Sequence, residues 1–289
     1  MNSPHWPAPC DGDALRAGVR WRATAGSTQN RPRPPASVFS DSKARREEAV
    51  NRNEAIVNPV RSKNAPALGP TAVMVSSQAD LDAICRRLER EGKPYRPLFN
   101  SRLYPGEDLS LVGPLIGAPY AVMLLETLVA WGVDSVLFLG WCGAISPQVV
   151  TGDILLPTGA IVDEGTSPHY GLGAGQQAVP SAGLLEAVRR GFEDCALPLK
   201  EGLVWSTDAI YRETRDKVAY YQSIGAVAVE MELSALFAVG HFRKVDIAGL
   251  LVVSDELSCF EWRPGFKDSR FKAARSRAVA GIERICRNL

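Results

Sequence analysis

Histidine, clustered cysteine, net charge and long apolar runs are all scarce in this sequence of 289 residues. Its six cysteines are scattered, without the CxxC pair or close Cys/His cluster that zinc and redox sites use. With 33 basic and 32 acidic residues, no overall field would hold nucleic acid or an anionic membrane. No run approaches the roughly 18 to 20 apolar residues that cross a bilayer, and the N-terminus has no apolar signal core. We therefore expect a soluble, cytoplasmic protein without metal or cofactor, whose partner is a small molecule.

Residues 1–53 differ in composition from the rest of the chain. They hold nine basic residues against five acidic ones, together with the run Arg31-Pro32-Arg33-Pro34-Pro35. Such a segment cannot bury enough apolar surface to offset the entropy lost on ordering it. We expect a disordered basic extension ahead of one globular domain at 54–289. Two interpretations of the extension stay open: a tail that recruits a partner, or upstream sequence without a role.

The pattern after residue 70 predicts an α/β domain. Short apolar runs alternate with longer amphipathic segments, which is typical of interleaved strands and helices. Strands are expected at 72–75, 109–112, 135–139, 153–157, 202–205, 226–229 and 247–253. Helices are expected at 81–91, 120–131, 184–192, 215–224, 232–239 and 271–286. In open α/β sheets, ligands sit beyond the carboxyl ends of the strands, so the segments that follow these strands are the candidate sites.

Acidic residues stand at two of the predicted strand ends. In Glu230-Met231-Glu232, a carboxylate could accept hydrogen bonds from vicinal sugar hydroxyls while the methionine packs on the sugar. The alternative is that these are ordinary acids of a helix N-terminus, where the dipole favours negative charge. Asp255 ends the strongest apolar strand, and partial burial would raise its pKa and suit it to general acid catalysis. The alternative for Asp255 is a helix N-cap.

Glycine-rich segments follow two other predicted strands. The segment 113–119 could let backbone amides approach an anion or a sugar, although a tight turn that needs glycine explains it equally well. The segment 140–143 is interpreted as a buried turn. Cys142 in that turn is interpreted as part of the core rather than a nucleophile, because no histidine is spaced to activate it.

Seven segments carry a family resemblance, in chain order: Gly117-Ala-Pro119, Gly140-Trp-Cys-Gly-Ala144, Gly152-Asp153-Ile154, Asp163-Glu-Gly-Thr-Ser-Pro-His-Tyr170, Ser206-Thr-Asp-Ala-Ile-Tyr211, Val229-Glu-Met-Glu232 and Val253-Ser-Asp255. Together they resemble the nucleoside phosphorylase type I family, which includes purine and uridine phosphorylases and several nucleosidases. The resemblance covers about residues 69–289. It is specific because independent motifs match in the family's order.

The resemblance implies a fold, an assembly and a set of roles. The implied fold is a three-layer α/β domain whose mixed central sheet is partly closed into a barrel and flanked by helices, assembled as a homo-dimer or hexamer. Glu232, Met231 and Glu230 would contact the ribose of a nucleoside. Asp255 would protonate or hydrogen-bond the purine N7 as the glycosidic bond breaks. The implied contacts to the base come from Ile210, Tyr211, Trp141, Cys142 and Gly143.

The residues that bind phosphate in this family are largely replaced. The family's Gly-Asp-Pro-x-Arg loop reads Val75-Ser-Ser-Gln-Ala-Asp80 here, Phe138 stands where a second arginine is expected, and Trp141 takes a hydroxyl position. Arg96 aligns with a third arginine, often lent by a neighbouring subunit, and Gly117 could offer its amide to the anion. A single arginine provides too few charge-assisted hydrogen bonds to hold phosphate firmly, so water becomes a credible attacking group.

Three functions therefore stay open. The family favours phosphorolysis of a nucleoside by inorganic phosphate, as in purine or uridine phosphorylases. The local residues fit hydrolysis by water better. The third is a catalytically silent module that binds nucleosides through Glu232. The motif around Asp255 favours purines, whereas the segment 163–170 is similar to uridine phosphorylase-like members.

Overall fold

The computed structural model describes residues 55–61, 63–90 and 92–286. Within these ranges the chain forms six α-helices and eleven β-strands. The helices are α1 (Gln78–Arg90), α2 (Ala118–Ala130), α3 (Ala182–Glu193), α4 (Arg215–Ser223), α5 (Leu233–Arg243) and α6 (Ser269–Ile285). The strands are β1 (Thr71–Val75), β2 (Arg96–Leu98), β3 (Ser101–Tyr104), β4 (Leu109–Gly113), β5 (Ser135–Ala144), β6 (Ile154–Asp163), β7 (Gln177–Ala178), β8 (Lys200–Thr207), β9 (Ala226–Glu230), β10 (Asp246–Glu256) and β11 (Arg263–Pro264). The predicted extension at 1–53 lies outside the described residues.

Five strands close into a barrel in the order β10-β6-β8-β9-β5, and β5 pairs back onto β10. The pairing of β5 with β10 is parallel and extends from Ser135, opposite Asp246, to Ala144, opposite Glu256. β9 runs antiparallel to β5, with Val229 opposite Gly143. The carboxyl ends of β5, β9 and β10 are therefore brought together at one region of the barrel rim.

The sheet continues beyond the barrel from β5. β1 lies parallel to both β5 and β4, and the short antiparallel strands β3 and β2 complete this extension. β7 pairs with β6, and β11 pairs with the end of β10. Because β1 lies between β5 and β4, its carboxyl end opens onto the same rim as that of β5.

Helices cover the sheet on both faces. One apolar cluster joins α2 and α5 to the sheet through residues such as Leu125 and Leu236. A second cluster joins α1, α3 and α6 to the other face through residues such as Leu81 and Ile282. The predicted α/β class is confirmed, with three layers and a mixed sheet partly closed into a barrel. Among the described helices, none is both long and apolar enough to span a bilayer.

Several predicted elements are present with different lengths, and one prediction is wrong. The segment Gly140–Gly143, interpreted as a turn, is strand, because β5 continues through it to Ala144 alongside the long partner β10. Gly140 is required there, since an added Cβ would lie 2.6 Å from the Phe138 ring. The sequence pattern also missed β2, β3, β7 and β11, which are two to four residues long.

Candidate active site

A cavity of about 330 Å³ opens where β1, β5, β9 and β10 end. The loops that follow β1, β4, β8 and β10 complete its wall. The lining residues are Ser76, Ser77, Leu115, Ile116, Trp141, Cys142, Gly143, Ile210, Glu213, Val229, Glu230, Met231, Glu232, Ser254, Asp255, Trp262 and Phe266. The cavity thus lies at the carboxyl ends of strands, where α/β proteins place their ligands.

Eight of the residues singled out from the sequence line this cavity: Glu230, Met231, Glu232, Ile210, Trp141, Cys142, Gly143 and Asp255. Three others do not. Tyr211 is 96% exposed and does not line the cavity. Arg96 lies on β2, where it donates a hydrogen bond to the Asn64 carbonyl at 3.2 Å. Gly117 is not a lining residue either, and its amide donates a hydrogen bond to a carboxylate of this chain.

That carboxylate belongs to Glu232, at the junction of β9 and α5. The Gly117 N–H donates to Glu232 Oε1 at 2.6 Å, which ties the β4–α2 loop to the start of α5. Burial and the nearby charge of Glu230 raise the pKa of Glu232 to about 8. Burial thus favours the protonated form of Glu232, which can both donate and accept hydrogen bonds.

Glu230 has a different set of partners. Its Oε2 accepts the backbone N–H groups of Glu232 at 2.8 Å and Leu233 at 2.7 Å, at the start of α5. Its Oε1 accepts a hydrogen bond from the Ser206 hydroxyl. Burial raises the pKa of Glu230 to about 7. Glu230 thus acts as an acid of the helix N-terminus, which is the alternative interpretation of the sequence, and it holds Glu232 in place.

A β-bulge positions Asp255. Val253 lies opposite Cys142 and Asp255 lies opposite Gly143, so Ser254 is the extra residue in β10. Such a bulge re-aims the side chain that follows it. Asp255 Oδ1 accepts from the Ser254 hydroxyl at 2.6 Å, and Oδ2 accepts from Trp262 Nε1 at 2.9 Å. Burial raises the pKa of Asp255 above its ordinary value despite these two hydrogen bonds.

Trp141 forms another part of the wall and is held by a buried ion pair. Its indole N–H donates to Asp80 Oδ2 at 2.6 Å, and Asp80 is 1% exposed. Arg275 from α6 bonds Asp80 Oδ1 at 2.7 Å and stacks over the Trp141 ring, with 5.0 Å between the guanidinium carbon and the ring centroid. The ring of Phe271 meets Trp141 edge-on at 5.0 Å. Trp141 is therefore a rigid wall that fills space beside the end of β1.

The cavity is lined by acidic groups. The described residues that line it include four carboxyl groups and no lysine, arginine or histidine. Besides Asp255, Glu230 and Glu232, the fourth is Glu213, whose pKa burial and the charge of Asp255 raise to about 7. Burial also raises the pKa of the Cys142 thiol well above its ordinary value, so Cys142 is not a thiolate nucleophile.

Sequence reasoning missed five residues of the wall. Ser76 and Ser77 lie in the segment that replaces the family's phosphate loop, which suggests a lost contact rather than a wall. Trp262 and Phe266 lie in a segment without hydrophobic periodicity. Glu213 stands among the basic residues Arg212, Arg215 and Lys217, a pattern that favours a solvated helix face. The one signal that could have found Glu213 is its position two residues after the Ser206–Tyr211 motif.

Comparisons with known proteins give the same fold and family. A family model described as the phosphorylase superfamily matches residues 70–289. The curated guanosine phosphorylase of Halorubrum lacusprofundi is 31% identical over 154 residues, which are 53% of this chain and 64% of that relative. The match thus spans slightly less than two thirds of the curated relative's length.

Solved structures resemble the chain over a longer stretch. Purine nucleoside phosphorylase from Toxoplasma gondii superposes with a TM-score of 0.68 at 18% identity, covering 77% of this chain and 92% of that one. AMP nucleosidase from Bacteroides thetaiotaomicron has a TM-score of 0.61 at 26% identity, covering 75% and 88%. Since the family model covers well over half of the sequence, the chain belongs to the phosphorylase superfamily, as the order of its motifs predicts.

Proposed function

We propose that this protein cleaves the N-glycosidic bond of a nucleoside, preferably a purine nucleoside. The observation that carries the proposal is that Glu232 and Asp255, 23 positions apart in the sequence, line one cavity together with Met231. A nucleoside needs a sugar contact and a proton donor to the base at the two ends of its glycosidic bond. The two carboxyl groups supply this combination, and the Met231 thioether adds an apolar surface for the sugar.

In the proposed mechanism, Asp255 donates its proton to N7 of the purine as the bond between C1′ and N9 breaks. The bonding electrons leave with the base, and protonation neutralises the charge that would otherwise develop there. Glu232 hydrogen-bonds the ribose hydroxyls, Met231 packs on the sugar, and Ile210 contacts the base. A raised pKa suits Asp255 to this role, because it holds its proton closer to neutral pH.

We further propose that water, rather than phosphate, attacks C1′. The new C1′–O bond replaces the broken C1′–N9 bond, the attacking water releases one proton to solvent, and Asp255 takes up a proton again from solvent. Asp80 ends the segment that stands in place of the phosphate loop, and it is buried against Trp141 and Arg275. Phe138 is fully buried in the core. A phosphate dianion would enter a cavity whose described lining has four carboxyl groups and no cation, and charge-assisted hydrogen bonds to it would be missing. Water carries no charge and meets no such penalty.

Phosphorolysis is the second candidate function. It is favoured by the guanosine phosphorylase relative, which is 31% identical over its matched segment. It requires a cation from outside the described lining, and Arg96 of a neighbouring protomer is the candidate that the family resemblance offers. We propose a homo-oligomer for the same reason. Light scattering on the purified protein tests the assembly, and a monomer would exclude an arginine lent by a partner.

A nucleoside panel with and without phosphate tests the function. Incubation with adenosine, inosine, guanosine and uridine, followed by chromatography of free base and free sugar, distinguishes the candidates. Release of base and ribose in phosphate-free buffer supports hydrolysis. Base that appears only with phosphate, together with ribose 1-phosphate, supports phosphorolysis. Calorimetric binding of a nucleoside without any release would indicate a silent module. If the protein neither binds nor cleaves any nucleoside, the proposal is overturned.

A further inference from the structure

The Glu213 carboxyl group lines the cavity without a protein partner. Glu230, Glu232 and Asp255 each accept at least one hydrogen bond from the chain. For Glu213, none of the described residues donates a hydrogen bond to the carboxyl group or forms an ion pair with it. Its backbone is nevertheless fixed, since the Glu213 N–H donates to the Ile210 carbonyl at 3.3 Å. The backbone of Glu213 is thus held in place while its carboxyl group has no hydrogen-bond donor, so the carboxyl group is available to a ligand in the cavity.

Partial burial makes this arrangement unfavourable for the free protein. A carboxyl group that loses water without gaining a hydrogen bond costs free energy, and here the charge of Asp255 adds to that cost. An apolar side chain would remove the cost. Unsatisfied acidic groups of this kind are typical of ligand-contacting positions.

The position of Glu213 indicates which part of a nucleoside it meets. It follows Ile210, a proposed base contact, and it lies near enough to Asp255 for the two charges to interact. In the proposed mechanism Asp255 meets N7 of the purine. The neighbouring group on that edge of the base is the substituent at C6. The attacking water approaches C1′ from the face opposite the base, so Glu213 lies on the wrong side to activate it.

We propose that Glu213 determines base specificity by hydrogen-bonding the C6 substituent of a bound purine. This assignment rests on the proposed cleavage of nucleosides and adds the class of substrate, a purine nucleoside with a polar group at C6. As a carboxylate, Glu213 accepts a hydrogen bond from a 6-amino group. As a carboxylic acid, it donates one to a 6-oxo group.

Three nucleosides that differ at C6 test the assignment: adenosine with an amino group, inosine with an oxo group, and purine riboside with hydrogen. For Glu213→Ala we expect kcat/KM to fall about 10-fold to 100-fold with adenosine, inosine or both, because a hydrogen bond to a group that can ionise is lost. With purine riboside the change should be small. Glu213→Gln, which keeps the shape and offers both a donor and an acceptor, should lose less than the alanine variant and also serves if the latter fails to fold.

Glu261→Ala is the matched control, since Glu261 is an exposed acid of the loop after β10 that does not line the cavity. It should leave all three kcat/KM values unchanged. An equal loss with all three nucleosides in Glu213→Ala, or no loss with any, would overturn the assignment while leaving the proposed function intact. If the wild-type protein cleaves none of the panel, the proposed function itself is overturned.

Discussion

Burial decides whether Asp255 holds a proton. Hydrogen bonds from Ser254 and Trp262 favour the charged carboxylate, yet removal from water outweighs them and raises the pKa. Both hydrogen bonds depend on local geometry: the bulge in β10 provides Ser254, and the loop beyond it provides Trp262. Because the acid form donates the proton, turnover should decline as the pH rises through the pKa of Asp255.

The variant Asp255→Asn tests this role directly. The amide keeps the shape of the side chain but cannot transfer a proton, so we expect kcat to fall about 100-fold to 10,000-fold. Nucleoside binding, measured by calorimetry, should be nearly unchanged. The control is Asp246→Asn, at the exposed start of the same strand, which should keep full turnover. Unchanged turnover in Asp255→Asn would refute the role of this carboxyl group.

Residues were predictable where the chain places polar groups directly after apolar strands. Glu232 and Asp255 could be found in this way, because strand ends converge at one rim and buried acids there are unusual. Glu213 and Trp262 could not be found, since each reaches the cavity from a loop whose path depends on tertiary packing. The partner of the Gly117 amide could not be predicted either. The sequence suggested a bound anion, whereas the amide donates a hydrogen bond to Glu232.

At the scale of elements, the junction of β9 and α5 couples stability to pH. Glu230 and Glu232 have pKa values raised from 4.5 to about 7 and about 8, so the folded protein holds these protons more tightly than the unfolded chain. The resulting stabilisation is complete below about pH 4.5 and is lost as the pH rises through 7 and 8. Ionisation at this junction therefore weakens the fold on the alkaline side.

Glu232→Gln should flatten that dependence, because the amide does not ionise. Between pH 5 and pH 9 we expect the Tm of the wild type to fall about 3 to 6 °C more than that of the variant. Differential scanning calorimetry at both pH values measures the difference. Glu283→Gln, an exposed acid on α6, is the control and should follow the wild type. Parallel curves for wild type and Glu232→Gln would contradict the prediction.

The ion pair between α1 and α6 makes a second prediction at this scale. Arg275→Met removes the charge opposite Asp80, whose side chain is only 2% exposed, and strands a buried carboxylate. We expect the free energy of unfolding to fall by about 3 kcal/mol, or about 10 °C in Tm. Trp141 also loses a stacking partner, so its fluorescence should change.

Arg270→Met is the matched control on the same helix. Arg270 pairs with Asp268 on the surface, where ion pairs contribute little, so its loss should leave Tm nearly unchanged. Equal Tm values for the two variants would show that the pair between Arg275 and Asp80 does not hold α1 against α6.

Elements were predictable in proportion to their length. Long apolar strands and amphipathic helices are recognisable from their hydrophobic periodicity, and each long predicted segment is present. β2 and β3 are too short for a period, and β3 depends on β4 for its hydrogen bonds. β5 was predicted too short because Gly140 and Gly143 resemble a turn, whereas they keep space for the Phe138 ring and for Leu257.

At the scale of the whole molecule, barrel closure is the feature that local patterns could not supply. The ring closes through the pairing of β5 with β10, whose partners are more than 100 positions apart, from Ser135 and Asp246 onwards. No periodicity in either strand specifies that partner. The class of fold followed from alternating elements, but the barrel followed only from the family resemblance, because related sequences preserve such long-range pairings together with the motifs at the strand ends.

Deletions at the N-terminal side can test where the folded unit begins. The family match begins at residue 70 and β1 begins at Thr71. A chain without residues 1–53 should therefore keep its kcat/KM and show a change in Tm below about 2 °C. A chain without residues 1–75 is the matched control and should not fold, because Ala72 to Val75 are fully buried between β4 and β5. Loss of turnover on deletion of residues 1–53, with Tm preserved, would instead assign the basic extension a part in substrate binding or assembly. Light scattering on the full chain and on the chain without residues 1–53 would distinguish these two roles.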